Sequence, residues 1–226
     1  MNNRYIGGGE YSSVYESCLN FNCKTKAAKK VGENMIVEYN ITKLLHDLVP
    51  GGVIKPYDKH SEKTMYLELL KLNNTNKNKI YSLKKVKKVL KHVVRTLMKI
   101  QKIYPTFRHN DLHWENIFVS KDLKQIFIGD FGFSNIQKKG CKNKLVQSGL
   151  YKRDYGIEPK ENTSYDIALL MNDIHLRGTP EIKNFIEKII PKDYIGEETD
   201  KIKKQRLRYN KKHTNFPTLK KIFDKL

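Results

Sequence analysis

Arg108-His109-Asn110-Asp111-Leu112-His113-Trp114-Glu115-Asn116, followed further on by Gly129-Asp130-Phe131-Gly132, decides how this chain is read. Between the two stretches lie two apolar runs, Ile117-Phe118-Val119 and Ile126-Phe127-Ile128, separated by the turn-like Ser120-Lys121-Asp122-Leu123-Lys124. Two short strands joined by that turn form a hairpin, which brings Asn116 and Asp130 side by side at its open end. Two carboxylates and a carboxamide then stand together. Such hard oxygen donors are what Mg²⁺ takes, and neutralising phosphate charge is what phosphoryl transfer chiefly requires.

The same residues resemble the catalytic core of the eukaryotic-type protein kinases, with their H-R-D-x-x-x-x-N loop and D-F-G triplet. The resemblance implies an α+β, bilobal fold with a small β-rich lobe over residues 1–70 and a mainly helical lobe over 71–226, compact and shortened relative to the family. It implies ATP and Mg²⁺ between the lobes. Asp111 would accept the substrate hydroxyl's proton, while Asn116 and Asp130 would hold the metal.

Upstream, Ile6-Gly7-Gly8-Gly9-Glu10-Tyr11-Ser12-Ser13-Val14 looks like the family's glycine-rich loop, with Ser12 in the place of the third glycine. Glycines let the backbone approach phosphate oxygens and donate N–H groups to them. Gly7, Gly9, Ser12 and Val14 are therefore nucleotide-binding candidates. Thr25-Lys26-Ala27-Ala28-Lys29-Lys30-Val31 is similar to the family's V-A-I-K strand, with Ala27 against the adenine, Lys29 on the phosphates and Lys30 as a rival. A helical spacing at Val37, Ile41, Leu44 and Leu45 puts a helix over 33–45, from which Glu38, or alternatively Glu33, would orient Lys29. Val53–Tyr57 and Met65–Leu70 read as strands, the second entering an interlobe linker where Leu67, Glu68 and Leu70 would meet adenine.

Residues 71–81 are polar and Asn-rich, as an exposed connection would be. The strongest helix follows: Leu83, Val86, Leu90, Val93, Leu97 and Ile100 recur at steps of three and four, with lysines filling the remainder. Residues 133–160 suit an activation and substrate segment, with Ser148, Tyr151 and Tyr155 in it and Glu158-Pro159 as a faint echo of A-P-E. Ser164–Met171 reads as an apolar helix whose Asp166 either caps it or braces the catalytic loop. Two amphipathic helices, from Thr179 to Ile190 and from Pro217 to Leu226, flank the basic stretch Lys201–Arg208.

Departures from the family pattern carry information too. Asn110 replaces the Arg that anchors a phosphorylated activation loop, which implies competence without such phosphorylation. His113 stands where Ser/Thr kinases have Lys; D-L-H-W-x-N resembles haspin and some viral and atypical kinases, and His113 would contact the transferred phosphate. The absence of the A-A-R or R-A-A pattern implies Ser/Thr rather than Tyr as acceptor. A small-molecule kinase of the aminoglycoside or choline type, where D-L-H also occurs, and a catalytically inactive binding module are the alternatives.

At 226 residues the chain suits one domain or two joined lobes, enough to bury about 70–75% of its unfolded surface. Its 44 Lys+Arg against 24 Asp+Glu give a net charge of +20, a field that attracts acidic protein segments, nucleic acid or anionic membrane. An acidic protein substrate is the favoured partner. Cys18, Cys23 and Cys141 form no paired C-x-x-C, which excludes a zinc ribbon and suits a reduced intracellular compartment, cytoplasm or nucleus. Neither a run of ~20 apolar residues nor a signal-peptide core is present. The Lys- and Asn-rich style suits a virus, in host cell or virion.

Overall fold

The computed structural model describes residues 4–8, 12–20, 22–70, 82–120, 122–148, 163–195 and 216–226. Gly9, the 71–81 connection, Tyr151, Tyr155, Glu158-Pro159 and the Lys201–Arg208 stretch lie outside these residues.

The first half is an antiparallel five-stranded sheet in the order β1-β2-β3-β5-β4, from β1 Arg4–Gly8, β2 Ser12–Cys18, β3 Lys26–Gly32, β4 Pro56–His60 and β5 Thr64–Glu68. Helix α1, Met35–Leu48, crosses between β3 and β4 and lays Met35, Tyr39, Ile41 and Leu45 into the core. It begins after Asn34, whose left-handed backbone (φ 56°) turns the chain out of β3, so Glu33 precedes the helix and is exposed. At the tip of the β2–β3 turn Cys18 and Cys23 are joined by a disulfide, a pairing that the cysteine spacing did not reveal, leaving Cys141 as the buried free thiol.

The second half is built on α2, Leu83–Ile103, capped by the Ser82 side chain, which accepts from the Lys85 N–H at 3.2 Å. Val86, Leu90, Val93, Leu97 and Ile100 are all fully buried, as their spacing predicts. The hairpin expected from the two apolar runs is present as β6 Ile117–Val119 and β7 Ile126–Ile128, pairing Ile117 with Ile128 and Val119 with Ile126. Beyond it come the short α3, Lys144–Gln147, then α4 Tyr165–Arg177, α5 Pro180–Glu187 and α6 Leu219–Lys225. An α+β fold with a sheet lobe and a helical lobe follows. Among the described residues no helix is long and apolar enough to cross a membrane.

Val53 and Ile54, expected to open a strand of the sheet, instead dock on the hairpin. Ile128 donates its N–H to Gly52 O at 2.9 Å and accepts from Ile54 N–H at 3.0 Å. This ladder ties the sheet lobe to the helical lobe, and it needs close approach: a Cβ on Gly52 would overlap Thr96 Oγ1 and lie 2.8 Å from its Cγ2. Thr96 is itself buried in α2 and cannot swing away. Gly52→Ala is expected to destabilise the fold by about 1–3 kcal/mol through overpacking. Urea titration of the single and double variants checks this: Thr96→Ala should recover most of the loss in a non-additive cycle.

Candidate active site

Between the sheet and the hairpin lies a cleft of about 630 Å³. Alternation along β3 decides which of its side chains reach it. Ala28 and Lys30 share the cleft face; Ala27 and Lys29 share the other, and neither lines the cleft. The expectation for Lys29 and Ala27 is therefore corrected by one residue. The Ala-Ala-Lys-Lys run satisfies the A-x-K pattern in both frames, so the pattern alone does not choose, and a one-residue slip turns every side chain to the opposite face.

Lys30 Nζ donates to Glu38 Oε1 at 2.8 Å and to Asp130 Oδ1 at 2.9 Å. Lys30 and Glu38 are 5% and 3% exposed, so a buried ion pair from β3 and α1 meets the Asp130 carboxylate, which stays open to the cleft, from the segment after β7. Burial opposes the Lys30 charge, yet the Glu38 and Asp130 carboxylates outweigh it and hold its pKa above the ordinary value. For Asp130 burial pushes the carboxyl up, and Lys30 more than offsets this, keeping it below the usual range. Asp130 is thus ionised at neutral pH.

The hairpin delivers Asn116 to the same end. Gly129 N–H bonds to Asn116 O at 3.0 Å, fixing Asp130 beside it. The Asn116 amide nitrogen donates to Asp111 O at 2.8 Å and sits 3.5 Å from Asp111 Oδ2, leaving Oδ1 with no partner among the described residues. Asn116 Oδ1 and the Asp130 carboxylate are a fit for Mg²⁺, which takes one or two protein oxygens and completes its shell with phosphate and water. No group of three His, Cys, Asp or Glu among the described residues could hold a metal alone. His113 Nε2 lies 3.1 Å from Asn116 Nδ2 and 3.6 Å from Asp111 Oδ2. Burial lowers the His113 pKa, and Asp111 overcomes it to leave the imidazole above its ordinary value.

Buried contacts hold the loop in place. Asp166, at the start of α4, accepts the His109 and Asn110 N–H groups on its two oxygens, each at 2.9 Å, so it braces the loop rather than capping the helix. His109 Nε2 lies 3.1 Å from Gly129 O, and its ring is 5.0 Å from that of Phe131, which is 1% exposed. Asn110, left-handed at φ 67°, donates to Phe133 O at 2.9 Å, and Asp130 is left-handed at φ 62°. Both are residues that tolerate this conformation, which clusters at functional sites.

Of the other expected residues, Gly7, Val14, Leu67, Glu68 and Leu70 line the cleft, and Ser12 lies on β2 without lining it. The sequence reading missed Lys85, Trp114 and Ile117 in the wall. Ile117 had a signal, since it begins the strand directly after Asn116.

Asp166→Ala strips two buried N–H groups of their acceptor and is expected to cost about 2–5 kcal/mol in urea titration, with Asp166→Asn losing less.

A comparison with curated proteins returns no match. The family model for the protein kinase domain matches residues 1–156, over two thirds of the 226. With that match across the sheet, the triad and the catalytic loop, the chain belongs to the protein kinase domain family.

Proposed function

We propose that this kinase transfers the terminal phosphoryl group of Mg-ATP to Ser and Thr hydroxyls of proteins, with Asp111 as the base. The observation that carries the reading is the Lys30–Glu38–Asp130 triad at the head of the cleft, with Asn116 held next to Asp130 by the Gly129 N–H bond. A lysine held by two carboxylates is positioned and charged before substrate arrives, and electrostatic preorganisation of that kind is usually the largest contribution to such catalysis. Mg²⁺, when bound by Asn116 and Asp130, would neutralise charge on the phosphate oxygens.

Each protein group then has a separate task. Val14, Ala28, Leu67 and Ile117 form apolar walls for a flat base, while the backbone of Glu68 and Leu70 offers it hydrogen bonds. Lys30 binds phosphate oxygens and Glu38 keeps its ammonium aimed. Asp111, tied through Asn116, accepts the hydroxyl proton. His113, raised toward its charged form, faces the phosphoryl group in flight. Because Asn110 bonds to Phe133 O, the loop needs no phosphate to hold it, which supports activity without activation-loop phosphorylation.

Transfer from labelled ATP to peptide libraries with Ser, Thr or Tyr acceptors tests the reading. Asp111→Asn is expected to lower kcat about 10²–10⁴-fold and Lys30→Met about 10²–10³-fold, while Lys29→Met stays near wild type. Undiminished transfer by Asp111→Asn, or phosphate appearing on small alcohols and not on peptides, would overturn it.

His113 makes a pH prediction. A pKa raised above 6.5 means the imidazolium is present below that value and is lost as pH rises through the folded pKa. The kcat profile should therefore fall on its alkaline side. His113→Lys should move that limb toward the lysine value near ~10.4, and an unchanged profile would remove His113 from the mechanism.

A further inference from the structure

Helix α2 carries eight Lys and Arg residues and no Asp or Glu. Seven of them are exposed, and six of the seven, Lys84, Lys88, Lys91, Arg95, Lys99 and Lys102, lie on one side of the helix, with Lys87 set apart over the Phe185 ring. At 3.6 residues per turn and 1.5 Å per residue these six fall within an arc of about 80° and run straight for about 27 Å. Among the described residues, none of them is in an ion pair. Lys91 and Arg95 lean on the Phe223 ring of α6, at 5.4 and 5.3 Å, and α6 adds three more lysines against the single acid Asp224.

The arrangement works against the helix. Lys84 with Lys88, Lys91 with Arg95, and Arg95 with Lys99 are like charges at i,i+4, and Lys84 and Lys85 stand at the positive end of the helix dipole. Solubility alone would be served as well by charges of mixed sign. We propose that this ridge binds the phosphate backbone of duplex nucleic acid.

Shape and chemistry both favour that partner. The ridge is straight and convex, and five of its six cations are Lys, point charges suited to phosphate without base reading. About 27 Å of duplex presents roughly 16 phosphate charges. A membrane would require apolar side chains to enter it, yet the apolar face of α2 is spent on the core, and Ile103 at its end is its one large exposed hydrophobic. The ridge begins at the cleft wall, where Lys85 lies, so a hydroxyl-bearing protein on the same duplex is presented to the site at raised effective concentration.

Fluorescence anisotropy of the full chain with a labelled duplex tests the proposal, with DNA, RNA and single-stranded arms separating the forms. K84Q/K88Q/K99Q/K102Q, at positions with no described side-chain partner, should weaken duplex binding about tenfold or more and flatten the log K against log salt slope by about 3–4. A control of equal charge, K24Q/K63Q/K139Q/K142Q, should bind within about twofold of wild type, and the matching four Lys→Arg changes should retain binding. The Gln variant should melt no lower than wild type, because it relieves like-charge pairs. Pairwise K84Q/K88Q and K99Q/K102Q repeat the test at smaller effect. Equal losses in ridge and control variants, absence of duplex binding by the wild type, or tighter binding to phosphatidylserine vesicles or polyglutamate at the same salt would each overturn it.

Discussion

One ammonium group holds the two halves of this protein in catalytic register. Lys30 reaches across the cleft to Asp130 and sideways to Glu38, so the sheet, α1 and the segment after the hairpin meet at a single atom. Desolvating Lys30 and Glu38 is costly, and a buried ion pair is by itself weak evidence of stability. Its significance lies in what happens if Lys30 is missing, since Glu38 would then be a buried carboxylate without a cation. The triad ties folding of the lobes to assembly of the site.

Around that point the molecule uses hydrogen bonds to the backbone for positioning. Asp166 holds two backbone N–H groups of the catalytic loop; Asn110, Asn116 and His109 hold carbonyls or lie beside them. Gly52 and Gly129 permit close packing: a Cβ on Gly129 would overlap the Phe118 ring and lie 3.2 Å from Ile54. These contacts fix the distance between Asp111, Asn116 and Asp130 more firmly than the surface charges could, because surface pairs in water contribute little.

Much of this could be read from residue order. Local patterns served well: the α2 stripe, the hairpin, and the placement of Asn116 beside Asp130 depend on periodicity and turn chemistry, which are written within a few residues of each other. What failed was non-local or degenerate. Ala27-Ala28-Lys29-Lys30 is symmetric to a one-residue slip, and only pairing with β2 and β5, which sets Lys30 opposite Val14 and Met65, chooses the frame. Val53 and Ile54 look like any sheet strand; their docking on Ile128 comes from the tertiary approach that Gly52 allows. Lys85 and Trp114 reach the cleft wall through the mutual placement of the helix and the loop.

The short β6–β7 hairpin tolerates change unevenly along its length. Asn116 and Asp130 sit at its open end, and the turn that includes Ser120, Asp122 and Gln125 sits at the other. Residues can be inserted at that distal bend without disturbing either side chain. A single-residue indel inside a strand, by contrast, would invert one arm relative to the other and part the pair. The bend can therefore change in length at little cost, whereas the two three-residue arms must keep their count.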